Sequence, residues 1–252
     1  MARGRSQTGA SPSWIARMSL SRTPCALDWP VLTRQLDADG HALIPGLLDK
    51  SQCEAIRALY DQDAPFRGRV NMARHNFGLG EYRYFTYPLP APLQELREAF
   101  YPPLRAIANT WQERMGTGIQ YPPEHASFLD QCHAAGQRRP TPLLLRYRAG
   151  DYNCLHQDLY GELAFPLQMA ILLSRPGEEF SGGEFVLTEQ RPRLQSRATV
   201  VPLWQGDAVV FAVAQRPVPG LRGYYRVNLR HGVSRLPTGE RFTLGVIFHD
   251  AL

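Results

Sequence analysis

Hydrophobic positions in this 252-residue chain change their period near Thr141. Ahead of that point they recur at helical spacing. Trp29 to Pro45 reads as a short helix followed by a strand, with Ala42, Leu43 and Ile44 as its apolar run. Ser51 to Asp61 places Ser51 and Glu54 at the N-cap and N3 positions of a capping box and continues with three- and four-residue spacing, which predicts a helix. A loop holding Arg67, Arg69, Arg74 and His75 leads into an aromatic strand around Glu81 to Tyr87, and Leu93 to Trp111 predicts a long helix. Gly116 to Pro140, rich in Pro, Gly, Gln and His, predicts a loop with one helical turn.

Beyond Thr141 helical spacing stops, and short β-like runs separated by turn residues take over. The runs are Pro142 to Arg148, Pro166 to Ser174, Gly183 to Leu187, Ala198 to Pro202, Ala208 to Ala212, Arg226 to Val233 and Arg241 to His249. Pro176-Gly177 and Ser181-Gly182-Gly183 punctuate them. So many short strands in so little chain point to an α+β fold whose core is a double-sheet jelly roll or small barrel. The expected organisation is a disordered extension over residues 1–22, a helical support region over 23–140 and a catalytic core over 141–252, the last two forming one domain.

Composition narrows this picture little. The apolar fraction of 44% and charged fraction of 20% are those of a globular chain, and no apolar run reaches membrane-span length, so a soluble protein without a membrane partner is expected. The net charge of +5 would suit an anionic partner, but Lys50 is the only lysine and an arginine-rich composition can reflect the genome. One lysine in a polar helix start argues against Schiff-base chemistry. Cys25, Cys53, Cys132 and Cys154 form no CxxC pair, which fits a reducing cytoplasm better than a disulfide scaffold.

The candidate chemistry lies in the β region. His156 and Asp158 are one residue apart just after a strand, so on extended backbone both side chains leave the same face. His231, at the end of a later run, can supply a third ligand. Two imidazoles and a carboxylate on one face of an ion, with the other face open, form the arrangement of non-haem Fe(II) oxygenases. His-x-Asp alone is a weak signal and could simply cap a turn. Arg241 strengthens it: ten residues after His231, with Thr243 on the same strand face, it offers a planar fork and a hydroxyl to a carboxylate.

These residues resemble the Fe(II)/2-oxoglutarate-dependent dioxygenase superfamily, with its His-x-Asp, distal His and Arg ten residues further on. Arg146-Tyr147-Arg148-Ala149-Gly150 is similar to the Tyr-x-x-Gly lead-in of the prolyl-4-hydroxylase-like branch, and Ser181-Gly182-Gly183-Glu184-Phe185 to that branch's Gly-Gly-Glu strand entry. The resemblance implies a double-stranded β-helix (jelly roll) with the N-terminal helices packed against one sheet. It also implies Fe(II) on His156, Asp158 and His231, and 2-oxoglutarate held by Arg241, Thr243 and Tyr147, with O2 as the oxidant. That branch often carries Lys where this chain has Arg241.

Other polar residues have plainer readings. His249 and Asp250, beyond the Arg241 strand, are expected to be structural or solvent-exposed, and His75, His125 and His133 to sit in loops. Tyr82, Tyr84, Phe85 and Tyr87 are expected to pack in the core rather than to stack on bases. The substrate stays open. In overall layout, from Ile44-Pro45-Gly46 to the last strand, the chain looks like bacterial oxygenases associated with oxidative demethylation of damaged DNA, which implies alkylated nucleic acid. Alkylation-repair enzymes carry a second arginine in the final strand, however, and Phe242 to Ile247 contains none. Hydroxylation of a protein side chain or a small molecule is the alternative. A jelly-roll binding module is the non-enzymatic one, disfavoured by the intact triad and Arg241.

Overall fold

The computed structural model describes residues 22–252, so the extension expected over 1–22 lies almost entirely outside the described residues. Helix α1 (Trp29–Asp39) starts where the Asp28 side chain accepts from the Val31 amide and stops at Gly40 in the left-handed region. It is followed by β1 (His41–Ile44). Helix α2 (Lys50–Ala58) is capped by a box, but the reciprocal pair is Asp49 and Gln52, not Ser51 and Glu54. Both pairs satisfy the same spacing; Ser51 instead donates to Asp49 Oδ1. Strands β2 (Phe66–Asn71), β3 (Gly78–Leu79) and β4 (Glu81–Phe85) precede the long helix α3 (Ala91–Arg114).

A further helix, α4 (His125–Ala134), occupies the segment where a loop with one turn was expected. Its buried stripe is only His125, Phe128 and Cys132, too short for periodicity to reveal. His125 and His133 are therefore helical. Then come β5 (Leu143–Arg148), β6 (Tyr152–His156), β7 (Leu167–Leu172), β8 (Phe180–Ser181), β9 (Phe185–Gln190), β10 (Arg197–Val201), β11 (Ala208–Ala212), β12 (Gln215–Gly220), β13 (Gly223–Val233) and β14 (Thr238–Val246). Sequence periodicity misses β12 because Pro217 and Pro219 interrupt it. Paired with β13 alone among the described residues, it tolerates them.

The strands form two sheets. The larger runs β1-β11-β7-β14-β5-β4-β2 with β8 against β14; the smaller runs β10-β9-β13-β6-β3 with β12 against β13. All of these pairings are antiparallel. Strands β7 and β11 are buried along their whole length because both faces of the larger sheet are covered. Leu167, Met169 and Ile171, with Val210, Leu244 and Val246, pack against Leu36, Ile56, Leu96, Phe100 and Phe128 of the helices. Alternate residues face the smaller sheet: Ala170, Leu172, Val209 and Phe211 pack with Phe185 and Leu187. This is the double-stranded β-helix with helices against one sheet, and strand parity alone decides which side chains enter its interior.

His249 and Asp250 are buried, not solvent-exposed. Asp250 meets Arg97 of α3 at 3.0 Å and also accepts from Tyr87 and His133, while His249 Nδ1 accepts from the Phe165 amide. This cluster ties the C-terminal end of the chain to α3 and α4.

Candidate active site

Strand pairing brings the two candidate histidines together. His231 on β13 is the register partner of His156 on β6, so two residues far apart in sequence stand directly opposite one another with ring centroids 4.2 Å apart. The ladder breaks immediately afterwards, between His231 and Val233. Gly232 fills that break, where a Cβ would lie 2.7 Å from the Asn153 carbonyl oxygen. Asp158 lies past the end of β6. Its Oδ1 is 3.4 Å from His156 Nε2 and its Oδ2 3.2 Å from His231 Nε2. One ligand atom from each residue falls within 4.8 Å of the others, a spacing that fits a single ion.

The surroundings set which atoms face inward. His156 Nδ1 donates to the Cys154 carbonyl at 2.8 Å, which leaves the Nε2 lone pair free for a metal. The Tyr160 hydroxyl donates to Asp158 Oδ1 at 2.6 Å. Burial would push the Asp158 carboxyl up, but hydrogen bonds from both imidazoles, and their charge, hold it well below its ordinary range. His156 is opposed by its burial yet raised by Asp158, whereas burial, and then the neighbouring His156, lowers His231. The site thus holds Asp158 ionised, and an ion bound there would take both imidazoles in their neutral form.

Further along the interior, Arg241 on β14 stands opposite Tyr147 on β5 and beside Thr243, to which its Nη1 donates at 2.6 Å. Its guanidinium is buried, Nε has no partner and no carboxylate pairs with it among the described residues; burial pushes its pKa down to about 10. An unpaired buried cation is costly, so this geometry calls for an anion from outside the chain. The Tyr147 hydroxyl is also buried without a partner. Gly183 explains the Gly-Gly turn: at φ +63, a Cβ there would lie 3.0 Å from Arg241 Cδ and closer still to Leu236. The buried, partnerless atoms fit a carboxylate ligand, and the triad fits a metal.

A cavity of about 370 Å³ between the sheets is lined by His156, Asp158, His231, Arg241, Thr243 and Tyr147 together. All six sequence-predicted residues therefore open into one space. Periodicity gave no sign of Tyr160 or Gln168, which also line it. A tyrosine two residues after Asp158 was the only available signal for the first; the second reads as part of an apolar strand. Of the aromatic strand, Phe85 packs in the core as expected, but Tyr82 faces the cavity and Tyr84 packs edge-on against both Tyr82 and Tyr160. Phe77 and Leu159 line it too, at 46% and 52% exposure, which places them toward solvent. Arg146 and Arg148 turn away to Glu240, and Arg226 to the Met115 carbonyl.

A family model described as "Oxygenase, catalysing oxidative methylation of damaged DNA" matches residues 80–251. The protein "Uncharacterized protein Rv2227" of Mycobacterium tuberculosis is 48% identical over 167 residues, covering 66% of this chain and 72% of that one. Among solved structures, a Pseudomonas putida prolyl-4-hydroxylase matches with a TM-score of 0.52 at 15% identity, over 86% of this chain and 96% of the other, a likeness of fold.

Proposed function

We propose that the chain, which belongs to this oxygenase family, is an Fe(II)/2-oxoglutarate-dependent dioxygenase, with the residue roles and substrate that follow. His156, Asp158 and His231 hold Fe(II); Arg241, with Thr243 and Tyr147, grips the far carboxylate of 2-oxoglutarate. The observation that carries this reading is the buried Arg241 guanidinium without a carboxylate partner, in the same cavity as the triad. A bidentate carboxylate would satisfy it, and the Tyr147 hydroxyl can add a further hydrogen bond. Bound iron supplies oxygen activation coupled to decarboxylation of 2-oxoglutarate, yielding succinate, carbon dioxide and a hydroxylated substrate.

The chain's own contribution is positioning and dryness. His156, Asp158 and His231 all line the cavity, so an ion they held would be reachable by co-substrate and oxygen from it. Walls formed by Leu143, Leu145, Phe185 and Phe211 exclude water, and Arg241 at one end fixes which way the co-substrate points.

The substrate is alkylated nucleic acid, a reading supported by the family description. Hydroxylation of an N-methyl group gives a carbinolamine that releases formaldehyde, so the net change is loss of the methyl. A base must leave its stack to reach such a cavity, which favours single-stranded or flipped-out targets. On β14, Thr243 and Gly245 line the cavity while Phe242, Leu244 and Val246 pack against the helices, so no second arginine on that strand contacts the base.

The test is to load the protein anaerobically with Fe(II), add 2-oxoglutarate and oxygen, and follow succinate and formaldehyde with and without methylated single-stranded DNA. Both products rising together with DNA, with binding that weakens in salt, is the expected result. Succinate formation indifferent to DNA would refute the nucleic-acid substrate and direct the search to protein side chains or small molecules. No succinate under any condition would refute the oxygenase roles.

A further inference from the structure

Two of the three triad residues have an outer hydrogen-bond partner in place. His156 Nδ1 donates to the Cys154 carbonyl, and Asp158 Oδ1 accepts from Tyr160. His231 has none: its Nδ1 is buried and unpaired. Once Nε2 is committed to a metal, Nδ1 must carry the ring's proton, and a buried N–H without an acceptor is a cost native proteins rarely leave standing. Metal-bound histidines are nearly always held by such an outer acceptor.

Besides the Tyr147 hydroxyl, assigned above to the co-substrate, one other residue of the same cavity carries a buried acceptor without a partner. Gln168 on β7 is only 4% exposed, and its Oε1 is likewise buried without a partner. An amide is out of place on a strand whose neighbours are Leu167, Met169, Ala170 and Ile171, and its carbonyl end makes no compensating bond. Both residues sit against one side chain. Gln168 is the register partner of Phe211, and the Phe211 ring lies 4.6 Å from the His231 ring. The residues that carry the unpaired donor and the unpaired acceptor thus both line one cavity and both neighbour Phe211.

We propose that Gln168 is a positioning residue for the metal centre: its side-chain carbonyl, directly or through one bridging water, accepts the Nδ1 hydrogen of His231 when Nε2 binds Fe(II). This rests on the proposed assignment of His231 as a ligand. It accounts for a polar residue in an apolar strand, and it fixes the tautomer and orientation of the one triad ligand without an outer hydrogen-bond partner, whose ring otherwise packs against Phe185, Phe211 and His156.

The experiment is anaerobic Fe(II) binding to the full chain by equilibrium dialysis, with the thermal midpoint of the metal-free protein measured alongside. Three proteins are compared: wild type, Gln168→Leu and Gln168→Glu. Leucine keeps the volume and removes the acceptor; glutamate keeps it. The expected result is Fe(II) affinity weakened about 10- to 100-fold in Gln168→Leu. Affinity in Gln168→Glu should stay within a few-fold of wild type, and the metal-free Gln168→Leu protein should be at least as stable as wild type. Wild-type affinity in Gln168→Leu, while wild type itself binds Fe(II), overturns the role of Gln168 and leaves the triad intact. Equal losses in both variants also overturn it, since the side chain would then matter for packing alone. Failure of the wild type to bind Fe(II) overturns the triad assignment and this inference with it.

Discussion

The Tyr160 hydroxyl donates to Asp158 Oδ1 at 2.6 Å, while Asp158 Oδ2 lies 3.2 Å from His231 Nε2. One carboxylate oxygen is thus engaged by a residue two positions away, which fixes the plane of the carboxylate. Burial and the Asp158 charge hold the phenol well above its ordinary pKa, so it remains a donor across the working range. Tyr160→Phe should fold normally and weaken Fe(II) binding by about 10-fold or more, measured by anaerobic titration. Unchanged affinity would mean that the hydrogen bond does not orient the ligand.

Arg241 is a buried charge waiting for a counter-charge. Removing it as Arg241→Met should raise the KM for 2-oxoglutarate on the order of 100-fold or more, consistent with about 2–5 kcal/mol for a buried charged contact, and should leave Fe(II) binding intact. The metal-free variant should melt at a higher temperature than wild type, because an uncompensated cation has been taken out of an apolar interior. A lower melting temperature would show that Arg241 is paid back by the protein itself.

Arg97 and Asp250 form an ion pair in which both side chains are fully buried. Arg97→Leu strands Asp250 with only Tyr87 and His133 and should destabilise the fold by about 3–5 kcal/mol. Chemical denaturation would show this as a lower midpoint with an unchanged slope. Replacing both residues with apolar ones should cost less than replacing Arg97 alone.

Burial pushes His125 and His249 down to about 4 from an ordinary 6.5. As pH falls, the unfolded chain takes up these protons first. Their contribution to stability is therefore complete above pH 6.5 and is lost as pH falls from 6.5 to 4, with a slope of about 1.4 kcal/mol per pH unit for each ring. Denaturation midpoints measured across that window should fall more steeply for wild type than for His125→Gln, whose amide can still donate to the Phe248 carbonyl that His125 Nε2 meets at 2.8 Å.

Sequence alone singled out the residues of the candidate site, because the proposed chemistry resides in residue types at fixed spacing. His156-x-Asp158, His231 and Arg241 with Thr243 could be named before any fold was known. The alternation of β14, with Arg241 and Thr243 on one face and Phe242 and Leu244 on the other, was equally legible, since a strand has only two faces. Local signals failed where several residues could satisfy the same local rule. Ser51 and Asp49 both suit a helix start, and only the three-dimensional geometry selected Asp49 with Gln52. The stripe of α4 was too short to stand out, and the burial of Asp250 depends on Arg97, which is distant in sequence. Tertiary structure alone decided the rest: that His231 stands opposite His156, that Tyr160 reaches Asp158, and that Gln168 and His231, each with a buried unpaired atom, line one cavity. Those facts follow from the pairing of distant strands, and register between strands is set by how both sheets bury their faces together, which no window of sequence contains.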